Sequence, residues 1–269
     1  MTRWALLVEY DGAGFAGWQR QAQEISVQQV MEAAAARLGG GPVGCTAAGR
    51  TDAGVHAIGQ VVHLDLARDI DGDKLAAALN FHMKPHRVVV RDAVPVPAAW
   101  SARFSAVGRS YRYVILNRAA PASLDAGRVW HVRPRLDVGA MRDAAALLVG
   151  RHDFTSFRAA SCQAKSPLRT LDRLDVIAEG EHILIAAEAR SFLHHQVRNM
   201  VGTLKLVGEG KWPAARISTA LAARARAAAG PTAPADGLTF MAVTYPDPLF
   251  GDGSKRCFFE KQHPKTFST

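Results

Sequence analysis

Pro95-Val96-Pro97-Ala98-Ala99-Trp100-Ser101-Ala102-Arg103-Phe104-Ser105-Ala106 is the stretch on which the fold turns. Proline carries no N–H for a strand ladder and biases the residue before it away from helix, so periodic structure should stop here. Gly108 extends the break. The stretch nevertheless lacks the Gly/Ser-rich composition of a free linker, so the two parts of the chain on either side of it should join closely.

Upstream, Trp4 to Tyr10 reads as a buried strand, and Ser26 to Leu38 as a helix with Val27, Val30, Met31, Ala34 and Leu38 on one face. Ser26 with Gln29 three residues on fits a capping box, and Gly39-Gly40-Gly41 ends the helix. A short strand near 43–48 comes next, then Val62, Leu64 and Leu66 alternating with His63 and Asp65, a helix near 73–80 and a strand at 87–94. The order is βαββαβ. Downstream it repeats: strand 107–116, helix 137–149, strands near 171–178 and 182–189, helix 192–208 and strand 238–245, with an extra Ala-rich helix at 213–229. Two such units predict an α+β fold of paired ferredoxin-like halves, residues 1–105 and 106–247, each with an antiparallel sheet covered on one face by helices. The halves have either separate sheets or one continuous sheet. From Pro246 the pattern fades, and the tail, 248–269, is expected to be disordered.

Composition excludes other classes. With 48% hydrophobic and 21% charged residues over 269, the chain can bury a core and is neither disordered nor low-complexity. Its 33 Lys+Arg against 24 Asp+Glu give a net charge of +9, which favours a polyanionic partner, nucleic acid first. Cys45, Cys162 and Cys257 are widely spaced, as neither a disulfide framework nor a cysteine-rich zinc site would have them. No stretch approaches the roughly 18 apolar residues that span a bilayer, so the expected location is the cytoplasm, with no membrane partner.

Gly12-Ala13-Gly14-Phe15-Ala16-Gly17 matches Gly-x-Gly-x-x-Gly after a strand, but Trp18-Gln19-Arg20-Gln21 stands where a dinucleotide-binding helix should begin. This loop's aromatic and basic groups suit loop packing and RNA contact equally. Between two strands, Gly49-Arg50-Thr51-Asp52-Ala53-Gly54-Val55-His56-Ala57 carries a carboxylate framed by glycines, where Asp most often serves only as a turn residue. Tyr111, Tyr113 and Ile115 share one strand face, as core residues do. On a helix starting after Ser191, adjacent His194 and His195 diverge and lack the i, i+4 spacing of a helical zinc site, so no metal is expected.

Seven blocks in order decide among these readings. The Asp52 segment resembles, together with Glu9-Tyr10-Asp11-Gly12, Gly17-Trp18-Gln19-Arg20-Gln21, Ala102-Arg103-Phe104-Ser105, Arg109-Ser110-Tyr111-Arg112-Tyr113, Asp153 to Arg158 and His194 to Gly202, the TruA family of tRNA pseudouridine synthases. The resemblance runs from Tyr10 to about Tyr245. It implies a central cleft in which Asp52 is the catalytic carboxylate, Tyr111 lies against the target uracil, Arg198 pairs with Asp52, and Arg50 helps engage and extrude the base. Trp18, Arg20 and Arg103 are the further candidates for substrate contact. It also implies isomerisation of uridine at positions 38–40 of the tRNA anticodon stem-loop, by a homodimer, without a cofactor.

The residue types suit that chemistry. Breaking the C1′–N1 bond and joining C1′ to C5 needs an ionised carboxylate, and a guanidinium beside Asp52 would keep it charged, ideally through a bidentate fork. Tyr111 offers a ring to stack and a hydroxyl to relay a proton. Arg133, Arg135, Arg142, Arg151, Arg158, Lys165, Arg169 and Arg173 outnumber the acids between them and form a candidate phosphate-binding flank. Two rivals remain. An RNA-recognition module shares the βαββαβ order but should show stacking aromatics on its third strand, and residues 60–66 and 182–188 have none. A nicotinamide-linked reductase would bind its dinucleotide at the glycine loop, which a fluorescence titration would detect.

Overall fold

A computed structural model describes residues 1–251 of the chain, so most of the tail expected to be disordered lies outside the described residues. The first half has the expected order, and the second has it with two short strands added. The first runs β1 (Thr2–Tyr10), α1 (Val27–Gly39), β2 (Cys45–Ala47), β3 (His56–Leu66), α2 (Gly72–Met83) and β4 (Val88–Val96). The second runs β5 (Gly108–Leu116), β6 (Trp130–His131), α3 (Val138–Ala146), β7 (Gly150–Asp153), β8 (Leu168–Glu179), β9 (His182–Ala189), α4 (Gln196–Gly208), α5 (Arg216–Ala223) and β10 (Leu238–Thr244).

The strands form one ten-stranded sheet among the described residues, ordered β4-β1-β3-β10-β5-β9-β8-β7, with β2 on β3 and β6 on β5. Each half contributes the same pattern, β4-β1-β3-β2 and β10-β5-β9-β8, so the open choice between two sheets and one resolves as one. The join is local. β2 pairs one end of β3 (Cys45 to Leu64, Ala47 to Val62), while β10 takes the other end in parallel (Thr239 to His56, Phe240 to Ala57). Gly59 permits this approach, because a Cβ there would stand 2.2 Å from the Met241 carbonyl oxygen.

Alternation along these strands sends one face into each core. Trp4, Leu6, Val8, Leu64 and Leu66 pack with α1 and α2 in the first, and Tyr113, Ile115, Ile183, Ile185, Met200 and Leu204 lie in the second. Phe240 of β10 is fully buried in the first core although it belongs to the second half of the chain, and Tyr111 of β5 packs against both. The seam between the halves is therefore itself hydrophobic.

The first three helices start as local chemistry dictates. Ser26 accepts from the Gln29 N–H at 3.2 Å, while Asp71 and Asp137 cap α2 and α3 in the same way. α4 has no side-chain cap. It starts at Gln196 rather than near 192, after His195 adopts φ 61°, left-handed for a residue with a Cβ. The Ala-rich helix expected over 213–229 also shortens, to Arg216–Ala223. Arg224 turns left-handed at φ 48°, and Arg226 then leaves for the side of α4, donating to Asn199 Oδ1 at 3.1 Å. Strands β6 and β7 carry no periodic signal at two and four residues.

Candidate active site

The glycine loop holds the Asp52 loop from behind. Trp18 N–H donates to the Thr51 carbonyl at 3.0 Å and Gly54 N–H to that of Phe15 at 3.3 Å, so the two loops lie backbone to backbone. A Cβ on Gly12 would stand 2.1 Å from Val55 O, and one on Gly17, at φ +94°, 2.6 Å from Thr51 O. These contacts account for the glycine spacing that resembles a dinucleotide fingerprint. Tyr10 Oη meets Thr51 Oγ1 at 2.8 Å, and Gln60 Nε2 donates to Gly49 O at 2.7 Å. Burial pushes the Tyr10 hydroxyl up to about 12, against its hydrogen bonds to Thr51 and Gln60, so it stays neutral and serves as a strut.

Trp18 does not sit where substrate contact would need it. It is only 2% exposed and packs beside Tyr10 with ring centroids 6.2 Å apart, so it supports the Asp52 loop from inside and does not offer a face to RNA. Its position between glycine and basic residues suggests contact in the sequence; in the fold its apolar area goes to the core instead.

On this frame Asp52 meets three cationic or protonatable groups from one short segment. Arg198 Nη1 donates to Oδ2 at 3.1 Å, His194 Nε2 lies 3.3 Å from Oδ1, and His195 Nε2 lies 3.4 Å from Oδ2. Burial alone would raise the carboxyl's pKa, but the hydrogen bond from His194, the charges of both histidines and the Arg198 hydrogen bond together hold it below the usual value. His194 is raised, chiefly by its hydrogen bond to Asp52, whereas burial lowers His195. The bidentate fork expected of Arg198 is absent. Its Nε donates to the Ala233 carbonyl at 2.8 Å, so the planar guanidinium ties the carboxylate to the segment before β10.

The two histidines reach one acid because neither is yet on the helix. Left-handed residues at functional sites cost about 1–3 kcal/mol and persist only where their surroundings impose them. Here Leu193 N–H donates to Gln196 Oε1 at 2.8 Å and Gln196 N–H to Leu193 O at 3.0 Å, which closes a turn around His195. The divergence expected for helical neighbours therefore fails, and the rings sit 4.1 Å apart. Asp52, His194 and His195 each present one metal-ligand-type atom, all within 4.8 Å of one another. The helix expected after Ser191 is delayed by four non-helical residues, Phe192 to His195.

Tyr111 stands edge-on to Phe192 and Phe240, at 5.1 and 4.8 Å between centroids. Its hydroxyl faces Gly49, where an added Cβ would lie 3.9 Å away, and it makes no hydrogen bond among the described residues. Burial, then the neighbouring Tyr10 and Asp52, push its pKa far up. It is thus a neutral donor beside the Asp52 loop. Arg109, which the sequence marks only as part of a block, donates to the carbonyls of Ala48, Arg103, Ala106 and Arg190, at 2.9, 2.7, 3.2 and 2.6 Å, and ties four segments together around this seam.

The remaining candidates are peripheral. Arg50 is exposed beside Asp52; Arg103 is exposed with its guanidinium 5.4 Å from the Phe104 ring; Arg20 is exposed and paired with Glu32 at 3.1 Å. In the basic flank, Arg142 donates to Val176 O, Arg169 to Ser166 O and Leu168 O, and Arg173 to Glu188, so these three are structural, while Arg133, Arg135, Arg151 and Lys165 are exposed.

A family profile described as tRNA pseudouridine synthase matches residues 6–105 and 144–246, spans that include Asp52, Arg198 and both histidines. The chain belongs to the tRNA pseudouridine synthase family. Proteins named tRNA pseudouridine synthase A are similar along nearly their whole length. That of Acidiphilium cryptum is 66% identical over 247 residues, 91% of this chain and 97% of its own. That of Rhodospirillum centenum is 60% identical over 91% of this chain and all of its own, and that of Beijerinckia indica 55% over 94% and all of its own. As a member of the family, the chain is an isomerase that acts on tRNA. Among its described residues no helix is long and apolar enough to cross a membrane.

Proposed function

We propose that this isomerase converts uridine to pseudouridine at positions 38–40 of the tRNA anticodon stem-loop, with Asp52 as its catalytic carboxylate. One observation carries the reading. Asp52 projects from a loop braced on the first half of the chain, and its carboxylate is held ionised by Arg198 and two histidines from the second, at 3.1 to 3.4 Å. The reaction breaks C1′–N1 and forms C1′–C5; one proton leaves C5 and one arrives at N1, so no redox partner is needed. An ionised carboxylate can stabilise the sugar cation or attack it, and both routes use the same geometry. Tyr111 contributes a ring edge-packed by Phe192 and Phe240 on which the freed uracil can rest.

A uridine in a stem must first leave the stack, at about a few kcal/mol. Arg50 and Arg103, exposed on the Asp52 side of the seam and on the loop before β5, offer charge to the flanking phosphates, and Arg133, Arg135, Arg151 and Lys165 offer more. Two halves, 1–105 and 106–247, would close on the nucleotide, with the protein acting as a cytoplasmic homodimer. The test is to incubate purified protein with unmodified tRNA and map pseudouridine by chemical labelling. Modification confined to positions 38–40 is expected. Asp52→Asn should keep its fold and tRNA binding while losing turnover by roughly a thousandfold or more; pseudouridine formation at the wild-type rate would remove Asp52 from its role.

A further inference from the structure

We propose that Asp52, His194 and His195 form a three-ligand site for a zinc-class divalent cation whose binding shuts off the isomerase. The blocking half of this inference rests on Asp52 being the catalytic carboxylate. The distances fit. Zinc bonds of about 2.0–2.1 Å to nitrogen and oxygen place neighbouring tetrahedral ligands about 3.4 Å apart. His194 Nε2 and His195 Nε2 lie 3.3 and 3.4 Å from the two Asp52 oxygens, and all three ligand atoms fall within 4.8 Å of one another. A cation can therefore sit between these groups with little movement of their backbones.

Chemistry selects the metal. Two imidazole nitrogens and one carboxylate oxygen suit zinc and its neighbours in the transition series, while magnesium and calcium favour sites built of oxygen alone. The ligands are also pre-positioned. The left-handed turn fixes His195, Ser161 Oγ stands 3.4 Å from His194 Nδ1 on the ring's far side, and the glycine loop braces Asp52. Access is open, since the side chains of His194 and His195 are 41% and 28% exposed. Three protein ligands leave a fourth position for water.

Arg198 sets the strength of the site. Its positive charge 3.1 Å from Oδ2 opposes a cation, which makes the binding reversible in character rather than that of a permanent structural metal. Its second anchor on Ala233 O keeps the guanidinium in place when the carboxylate turns to the metal. With the ion bound, the oxygens that the reaction requires are occupied.

The experiment uses the full-length protein freed of metal by a chelator. Equilibrium dialysis against zinc chloride should show one ion per chain in the wild type, with affinity lowered roughly tenfold or more in each of His194→Asn and His195→Asn. Cobalt chloride should give visible absorption of low-symmetry, four-coordinate type in the wild type and not in the variants, whose melting curves verify folding. Zinc should inhibit pseudouridine formation in competition with tRNA, reversibly on adding chelator, and magnesium should not. Absence of saturable zinc binding, or binding unchanged in both histidine variants, overturns the site; binding without inhibition overturns its blocking role. The catalytic reading fails separately, through turnover by Asp52→Asn.

Discussion

α2 and α4 occupy the same place in their two βαββαβ units, yet their first turns are built in opposite ways. α2 begins with Asp71, whose side chain accepts from the N–H groups of Asp73 and Lys74, the arrangement that stabilises a helix start by about 1 kcal/mol. α4 begins with His195, left-handed, without a side-chain cap, its imidazole turned to Asp52 instead. The fold needs only one kind of start. The second exists because the same residues that should cap α4 hold a carboxylate from the other half, and strain is tolerated where tight packing imposes it. α4 has the means: Asn199 and Thr203 are buried in hydrogen bonds with Phe157, Arg226, Thr232 and Gly230.

The largest effect that can break this comparison is on Arg198, in the first turn of α4. Because Nε holds Ala233 O and Nη1 holds Asp52, a lysine can keep one contact and must drop the other. Arg198→Lys should lower kcat by about a hundredfold or more, comparable to removing one preorganised charge-stabilising donor, with melting temperature near wild type. If kcat stayed within a few-fold, the double anchor would be irrelevant to turnover.

A smaller effect sharpens it directly. His195→Gly removes the Cβ that makes φ 61° unfavourable, so stability should rise by up to about 1 kcal/mol, a few degrees in melting temperature for a chain of this size, while turnover falls. Asp71→Ala should do the reverse, costing about 1 kcal/mol and leaving kcat unchanged. Paired thermal melts and single-turnover rates measure both. Should both substitutions destabilise equally, the two helix starts would not differ in strain.

The same contrast explains how much is legible in the sequence. Ser26, Asp71 and the alternating strands obey local rules, so the βαββαβ order can be read residue by residue. The continuity of the sheet cannot, because it depends on β10 meeting β3 at Gly59, a contact across most of the chain whose only mark is one small residue. Asp52, Tyr111 and Arg198 stand out only through motif resemblance, since each has an ordinary structural explanation taken alone. His194 and His195 are misplaced by sequence reading for a physical reason: rules that locate helix starts assume the cap serves the helix, and here it serves the carboxylate. Trp18 misleads the other way, its neighbours suggesting a surface role for a core ring.

The smallest effect is a proton balance at the strained start. His194 is raised above its ordinary 6.5, first by its hydrogen bond to Asp52, so its contribution to stability is full below that ordinary value and is lost as pH rises through the higher folded one. Asp52 is lowered below 3.8 even though burial, its largest single influence, acts to raise it, so its contribution is present above 3.8 and is lost as pH falls through the lower folded value. His195, lowered by burial, opposes folding as pH falls below 6.5. The attraction between Asp52 and His194 is therefore strongest between pH 3.8 and 6.5. In Asp52→Asn, with chelator present, the His194 ring should titrate at or below the ordinary histidine value, and the stability gap to wild type should narrow above pH 6.5, as followed by NMR and thermal melts. An unmoved His194 titration would mean that the imidazole answers to its other neighbour, Ser161, and that α4 gains nothing from the acid it faces.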